Sequence, residues 1–206
     1  MGRKEPTYDE CYSFVLLKEC LHMQNLELSD KPDILYENQF GIEVVSAIFE
    51  EEKRLEEILV RRKECKKADP LPKGYKETRY GIEHPMMVSQ DPWELYKCDR
   101  HTSTAIELIK REIDKKKKKV ETYQYPTDRL FVWTIFGIDD DELKTIGSEL
   151  YQYAKGTFHT LYVLVVDANC LMVCDANGVS LHYHQEKQYE YSLLAREICK
   201  RECEHE

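Results

Sequence analysis

Two acids carry the most chemistry in this chain: Asp33, within Lys31-Pro32-Asp33-Ile34-Leu35-Tyr36, and Glu43, within Gly41-Ile42-Glu43-Val44-Val45-Ser46. Each lies in a short apolar, β-branched run that predicts a strand, and Glu37-Asn38-Gln39 between them predicts a turn. The pattern is a hairpin with one carboxylate on each of two neighbouring strands. Alternate strand residues share a face, so Glu43 and Val45 point one way while Ile42 and Val44 point the other. Asp33 joins Glu43 where the hairpin register allows. Carboxylates held close together are costly unless positive charge lies between them, and a divalent cation answers that need. Two such ligands, completed by water and a substrate phosphate, suit Mg²⁺ or Mn²⁺. An ion of this kind lowers the pKa of bound water and neutralises charge growing on a phosphate during in-line displacement. A nearby helical carboxylate would complete the shell or orient the water, and Glu10 and Glu19 are the candidates.

The elements that must position these acids follow from periodicity and punctuation. Tyr8 to Gln24 predicts a helix, with Thr7 as cap, Glu10 closing a capping box, and Phe14, Leu17 and Leu21 turned inward on the stripe that Glu10 begins. Leu26 to Leu28 is a short strand stub, and the acid-bearing hairpin comes next. Residues 48–67 predict a charged helix with Leu55, Ile58 and Leu59 inside. Residues 69–90, rich in Pro and Gly, predict a surface insertion or lid. Asp91-Pro92-Trp93-Glu94 starts a helix that runs to about Lys119, with Ile106, Ile109 and Ile113 inward. Arg129 to Gly137 is a buried strand, Asp139 to Ala154 a helix and Thr160 to Val166 a second buried strand. A hairpin across Asp175-Ala176-Asn177-Gly178 and a helix over Tyr189 to Glu202 complete the order. Mixed strands with helices on both faces predict an α/β or α+β fold, a central mixed sheet flanked by helices. Length favours one domain over residues 1–206.

Composition bounds the function. With 42% hydrophobic and 33% charged residues, the chain reads as an ordinary soluble protein. No apolar run is long enough to cross a bilayer, and Met1-Gly2-Arg3-Lys4-Glu5-Pro6 lacks the apolar core of a secretory signal. The expected setting is cytoplasmic, with the eight cysteines as reduced thiols. The Cys170/Cys174 and Cys199/Cys203 pairs read as structural rather than as a metal cluster, because a strand and a helix lack ligand knuckles. His182 and His184 share a strand face but have no matching Asp or Cys at a sequence offset. Neither a phosphate-binding loop nor a dinucleotide fingerprint is present. Clustered tyrosines (Tyr123, Tyr125, Tyr151, Tyr153, Tyr189, Tyr191) suit base stacking, or else a core or a protein interface. The net charge of −9 gives no long-range pull on polyanions, but Lys115, Lys116, Lys117, Lys118 and Lys119 form a basic run suited to a nucleic-acid backbone.

A helix bearing Glu, then Pro-Asp, then Glu within Ile-Glu-Val resembles the PD-(D/E)XK nuclease-like superfamily, the restriction-endonuclease-like fold, and in style its small bacterial members. The resemblance covers residues 8–48, and the later strand-helix-strand order agrees with it. It implies a Mg²⁺-dependent nuclease, acting on DNA rather than RNA, with Asp33 and Glu43 as metal ligands and Glu10, preferred to Glu19, as the helical acid. One position departs from the pattern. The lysine expected two residues after the second acid, which helps position the attacking water and stabilises transition-state charge, is Val45 here. Lys53 and Arg54 are the nearest basic residues in sequence. Without a replacement the chain would be a non-catalytic relative, a protein- or nucleic-acid-binding module. A homodimer is compatible with either reading, and the oligomeric state is open. The purely structural alternative makes Asp33 the start of a strand and gives Glu43 a basic partner. Lone acids are rarely buried unless paired or ligating, which favours a site.

Overall fold

The computed structural model describes residues 5–48, 76–78, 81–83, 102–134 and 137–204, with side chains for 5–48, 102–134 and 137–201. The chain divides into two compact units, one of Met1–Ala47 with His101–Glu206 and the other of Ile48–Arg100. Of the second unit, the described residues form a two-stranded antiparallel hairpin, β4 (Lys76–Thr78) with β5 (Gly81–Glu83). The hairpin falls inside the expected insertion at 69–90. The expected helix over 48–67, the helix start at Asp91, and the candidate bases Lys53 and Arg54 lie outside the described residues.

The first unit is a mixed α/β layer structure around one sheet of seven strands, in the order β1-β2-β3-β6-β7-β8-β9. The strands are β1 (Leu26–Leu28), β2 (Ile34–Tyr36), β3 (Phe40–Ser46), β6 (Thr127–Thr134), β7 (Thr160–Val165), β8 (Cys170–Asp175) and β9 (Gly178–Tyr183). β1, β2 and β3 form an antiparallel meander, β3, β6 and β7 run parallel, and β7, β8 and β9 are antiparallel again. The parallel strands are the long apolar runs, as expected of strands covered on both faces. Parallel neighbours need crossovers. The described part of the first is α2 (Thr102–Val120), and α3 (Leu143–Ala154) makes the second.

Strand alternation divides the core in two. Val45, Leu130, Val132, Leu161, Val163 and Met172 pack against Ile109 and Ile113 of α2 and Leu143, Ile146 and Leu150 of α3. On the other face Ile42, Val44, Phe131, Tyr162 and Leu171 meet α1 (Tyr8–Val15) and α4 (Gln188–Glu204). α1 begins at the expected capping box: Thr7 Oγ1 accepts from Glu10 N, and Thr7 N donates to Glu10 Oε2 at 2.7 Å. It ends earlier than its apolar pattern suggests. Leu16–Cys20 widens into a π turn, and His22 then adopts a left-handed backbone (φ 55°). The buried stripe runs through Cys11, Tyr12, Val15, Leu16 and Leu17, so Phe14 is only partly covered, and beyond the wider turn Leu21 is only partly covered as well. α3 likewise starts at Leu143, not Asp139. The three consecutive aspartates compete for backbone hydrogen bonds and form the preceding turn instead, closed by Glu142 N donating to Asp139 O at 2.9 Å.

The β2–β3 turn has left-handed backbone at Glu37 and Asn38, a twist that suits a two-stranded hairpin. Its register pairs Ile34 with Ile42 and Leu35 with Gly41. Gly41 is where Pro32 and β6 close on the hairpin: an added Cβ would meet Thr127 Oγ1 and the Pro32 ring carbons, the latter at 2.5 and 2.8 Å. Gly41→Ala therefore forces Pro32, and Asp33 with it, away from β3. The expected cost is about 1–3 kcal/mol, measured as a lower urea midpoint with unchanged slope.

Candidate functional site

The hairpin register settles where the two acids meet. Because Ile34 pairs with Ile42, Asp33 falls opposite Glu43, one step beyond the paired end of β2. Glu43 projects with Val45 towards α2 and is buried, 1% exposed. Asp33 is half-buried and spends one oxygen on the strand edge that β2 leaves uncovered: Oδ2 accepts from Val44 N at 2.7 Å. That bond pins the carboxyl beside β3. Burial, and next the charge of Glu43, push the Asp33 carboxyl up to about 7, against the pull of Val44 N–H and Lys116.

The cation that meets Glu43 comes from α2. Lys116 Nζ donates to Glu43 Oε2, and the lysine side chain is 16% exposed. Helical spacing explains why this lysine turns inward. Ile109, Ile113 and Val120 are buried, and Lys116 lies three residues after Ile113 and four before Val120, on the same stripe. Its position on α2, the crossover helix that packs over β3, carries its ammonium to the face of Glu43 and Val45. Lys116 is thus the basic partner that the purely structural alternative gives Glu43, arriving from seventy-odd residues away. Tyr123, just past α2, adds a hydrogen bond to Glu43. Burial and the charges of Glu43, Asp33 and Asp30 all raise the Tyr123 phenol, so it stays protonated as a donor.

The other predicted site residues separate. Glu10 is tied into its own capping box, yet its charge still acts on Asp33, raising its pKa. Glu19 lies elsewhere, in a cleft of about 520 Å³ shared with Cys20, His22, His182 and His184. Sequence offsets alone hid that juxtaposition. Among the described residues, however, no three His, Cys, Asp or Glu side chains are arranged to hold a metal ion. The helical acid that touches β3 is Asp9, whose Oδ2 accepts from Ser46 Oγ at 2.5 Å on the opposite sheet face from Glu43; burial raises its pKa.

The lysine run is not one basic surface. Lys115 pairs with Glu112 at 2.9 Å, and Lys117 donates to Tyr153 O at 2.8 Å while its ammonium lies 4.6 Å from the Tyr153 ring centre. Lys116 faces Glu43, while Lys118 and Lys119, like Lys115, are exposed. The helical period, with one residue in three or four facing inward, divides a run that the one-dimensional pattern presents as uniform. Cys170 and Cys174 are both buried in the core on the α3 side.

Asp33 and Glu43 are the residues that could hold a small divalent ion, two oxygen donors to be completed by water. The ammonium of Lys116 pairs with Glu43, and the pKa of Asp33 is raised by burial first and by the charge of Glu43 second. Comparison with protein-family models, curated proteins and solved structures gives no match to this chain. No helix among the described residues is long and apolar enough to cross a membrane.

The raised Asp33 pKa has a signed consequence. The folded chain holds this proton more tightly than the unfolded chain, whose carboxyl titrates near 3.8. Between there and about pH 7 the folded state binds more protons, so its stability falls as pH rises through that window. In EDTA, the denaturation midpoint of the wild type should be lower at about pH 8 than at about pH 5. Asp33→Asn, which has no carboxyl to titrate, should lose much of that difference.

Proposed function

We propose that this protein is a divalent-metal-dependent phosphodiesterase acting on nucleic acid, with DNA as its expected substrate. The observation that carries the reading is the set Asp33, Glu43 and Lys116, two acids opposite each other in the hairpin register and one ammonium paired with Glu43. It supplies the three groups of a PD-(D/E)XK-like site, with the lysine brought in by a helix. The order of an antiparallel meander followed by parallel strands, with helices on both faces, is compatible with a restriction-endonuclease-like core. In this reading Asp33 and Glu43 hold Mg²⁺ or Mn²⁺, which when bound acidifies a water and offsets charge on the phosphate. Lys116 orients the attacking water and stabilises the negative charge that develops on the phosphate oxygens. Tyr123 fixes the Glu43 carboxylate through its hydroxyl. Glu10 adds negative potential from the α1 side, and the exposed Lys118 and Lys119 at the end of α2 are placed to meet a polyanionic backbone. Thiols at Cys20, Cys170, Cys174 and Cys199 support a reducing, cytoplasmic setting.

The test is cleavage of labelled single- and double-stranded DNA and of RNA with Mg²⁺ or Mn²⁺. Activity should vanish in EDTA, and Asp33→Ala, Glu43→Gln and Lys116→Met should each lower the rate by about a hundredfold or more. Cleavage that persists in EDTA overturns the mechanism. Salt-sensitive binding of nucleic acid without cleavage would instead favour the non-catalytic module, a reading to which the near-complete burial of Glu43 lends some weight.

A further inference from the structure

We propose that Lys116 is the resident counter-ion of the Glu43 carboxylate, and that a divalent ion enters by displacing its ammonium. The inference rests on the metal-site reading above and adds to it an exchange between two cations at one oxygen. The Glu43 side chain is 1% exposed and that of its partner Lys116 is 16% exposed. Lys116 is the more open partner, and its ammonium occupies Oε2, one of the two oxygens through which Glu43 can meet a metal ion. An ammonium and a divalent ion repel each other strongly in a water-poor site, so the two do not share that oxygen. The lysine stem has four flexible carbons, and Lys116 lies one turn before the end of α2, so the head group can swing away without unwinding the helix.

The exchange gives the lysine two positions with two uses. Before metal arrives it keeps a buried carboxylate compensated, which stabilises the fold. Afterwards the two carboxylates are balanced by the ion, and the ammonium is surplus positive charge beside the place where a phosphodiester must lie. An anionic substrate is the partner that this surplus charge favours. An ammonium that stayed in place would also weaken metal binding by repulsion, so movement of the Lys116 head group is the distinguishing readout.

Titration calorimetry with MgCl₂ on wild type and Lys116→Gln reads the exchange without any activity measurement. Removing the competing ammonium should tighten Mg²⁺ binding roughly tenfold. Equal or weaker binding by a folded Lys116→Gln overturns the exchange while leaving the metal site standing. Binding by neither protein overturns the metal-site reading itself. Because Glu43 without its partner can compromise folding, the wild type supplies an independent readout: the nitrogen-15 signal of the Lys116 ammonium. In the ion pair it should be protected from exchange, and Mg²⁺ should shift or broaden it. A signal untouched at Mg²⁺ concentrations that calorimetry shows to be saturating also overturns the exchange.

Discussion

A carboxylate buried at the centre of a sheet must be compensated, and the Glu43–Lys116 ion pair is how this chain does it. Leaving such a charge without its partner costs about 3–5 kcal/mol, a large part of the stability of a typical domain. The pair therefore constrains more than two side chains. β3 must present Glu43 to the α2 face, α2 must lie across β3 in one rotation about its axis, and the hairpin must stop short enough for Asp33 to cap the free edge at Val44. Asp33 lies beside this pair, and burial first and the charge of Glu43 second raise its pKa.

The sheet topology makes this arrangement possible. Antiparallel pairing delivers Asp33 and Glu43 opposite each other through a tight turn, a local solution within a short stretch of chain. Parallel pairing of β3 with β6 demands a crossover, and the crossover helix is the element that brings Lys116. The acids thus come from a local motif and the base from a distant one, joined because β3 belongs to both kinds of pairing. Tyr123 follows from the same geometry, since the chain leaving α2 turns back beside the site before entering β6.

Elements with local causes were readable in the residues themselves. The capping box at Thr7 and Glu10, the turn at Glu37–Gln39 and the apolar runs of β6 and β7 each depend on neighbours within a few positions. The inward-facing lysine was partly legible as well. The spacing Ile109, Ile113, Lys116, Val120 marks it as the polar member of a buried stripe, although the flanking lysines mask the pattern. Glu19, the less favoured helical acid, lies in the π turn, where the regular helical pattern no longer sets the direction of a side chain. Its carboxylate ends in the cleft beside His182 and His184 instead of near Asp33.

By itself the sequence determined the hairpin, the apolar faces and the two acids, since period-two and period-3.6 patterns and turn residues act over short range. Only the tertiary structure decided which cation compensates those acids, because the pairing of Lys116 with Glu43 depends on how a crossover helix settles on the sheet. It also decided that Cys20 and His22 share a cleft with His182 and His184. Long-range juxtaposition of this kind is set by packing of whole elements against one another, and no local pattern of residues encodes it.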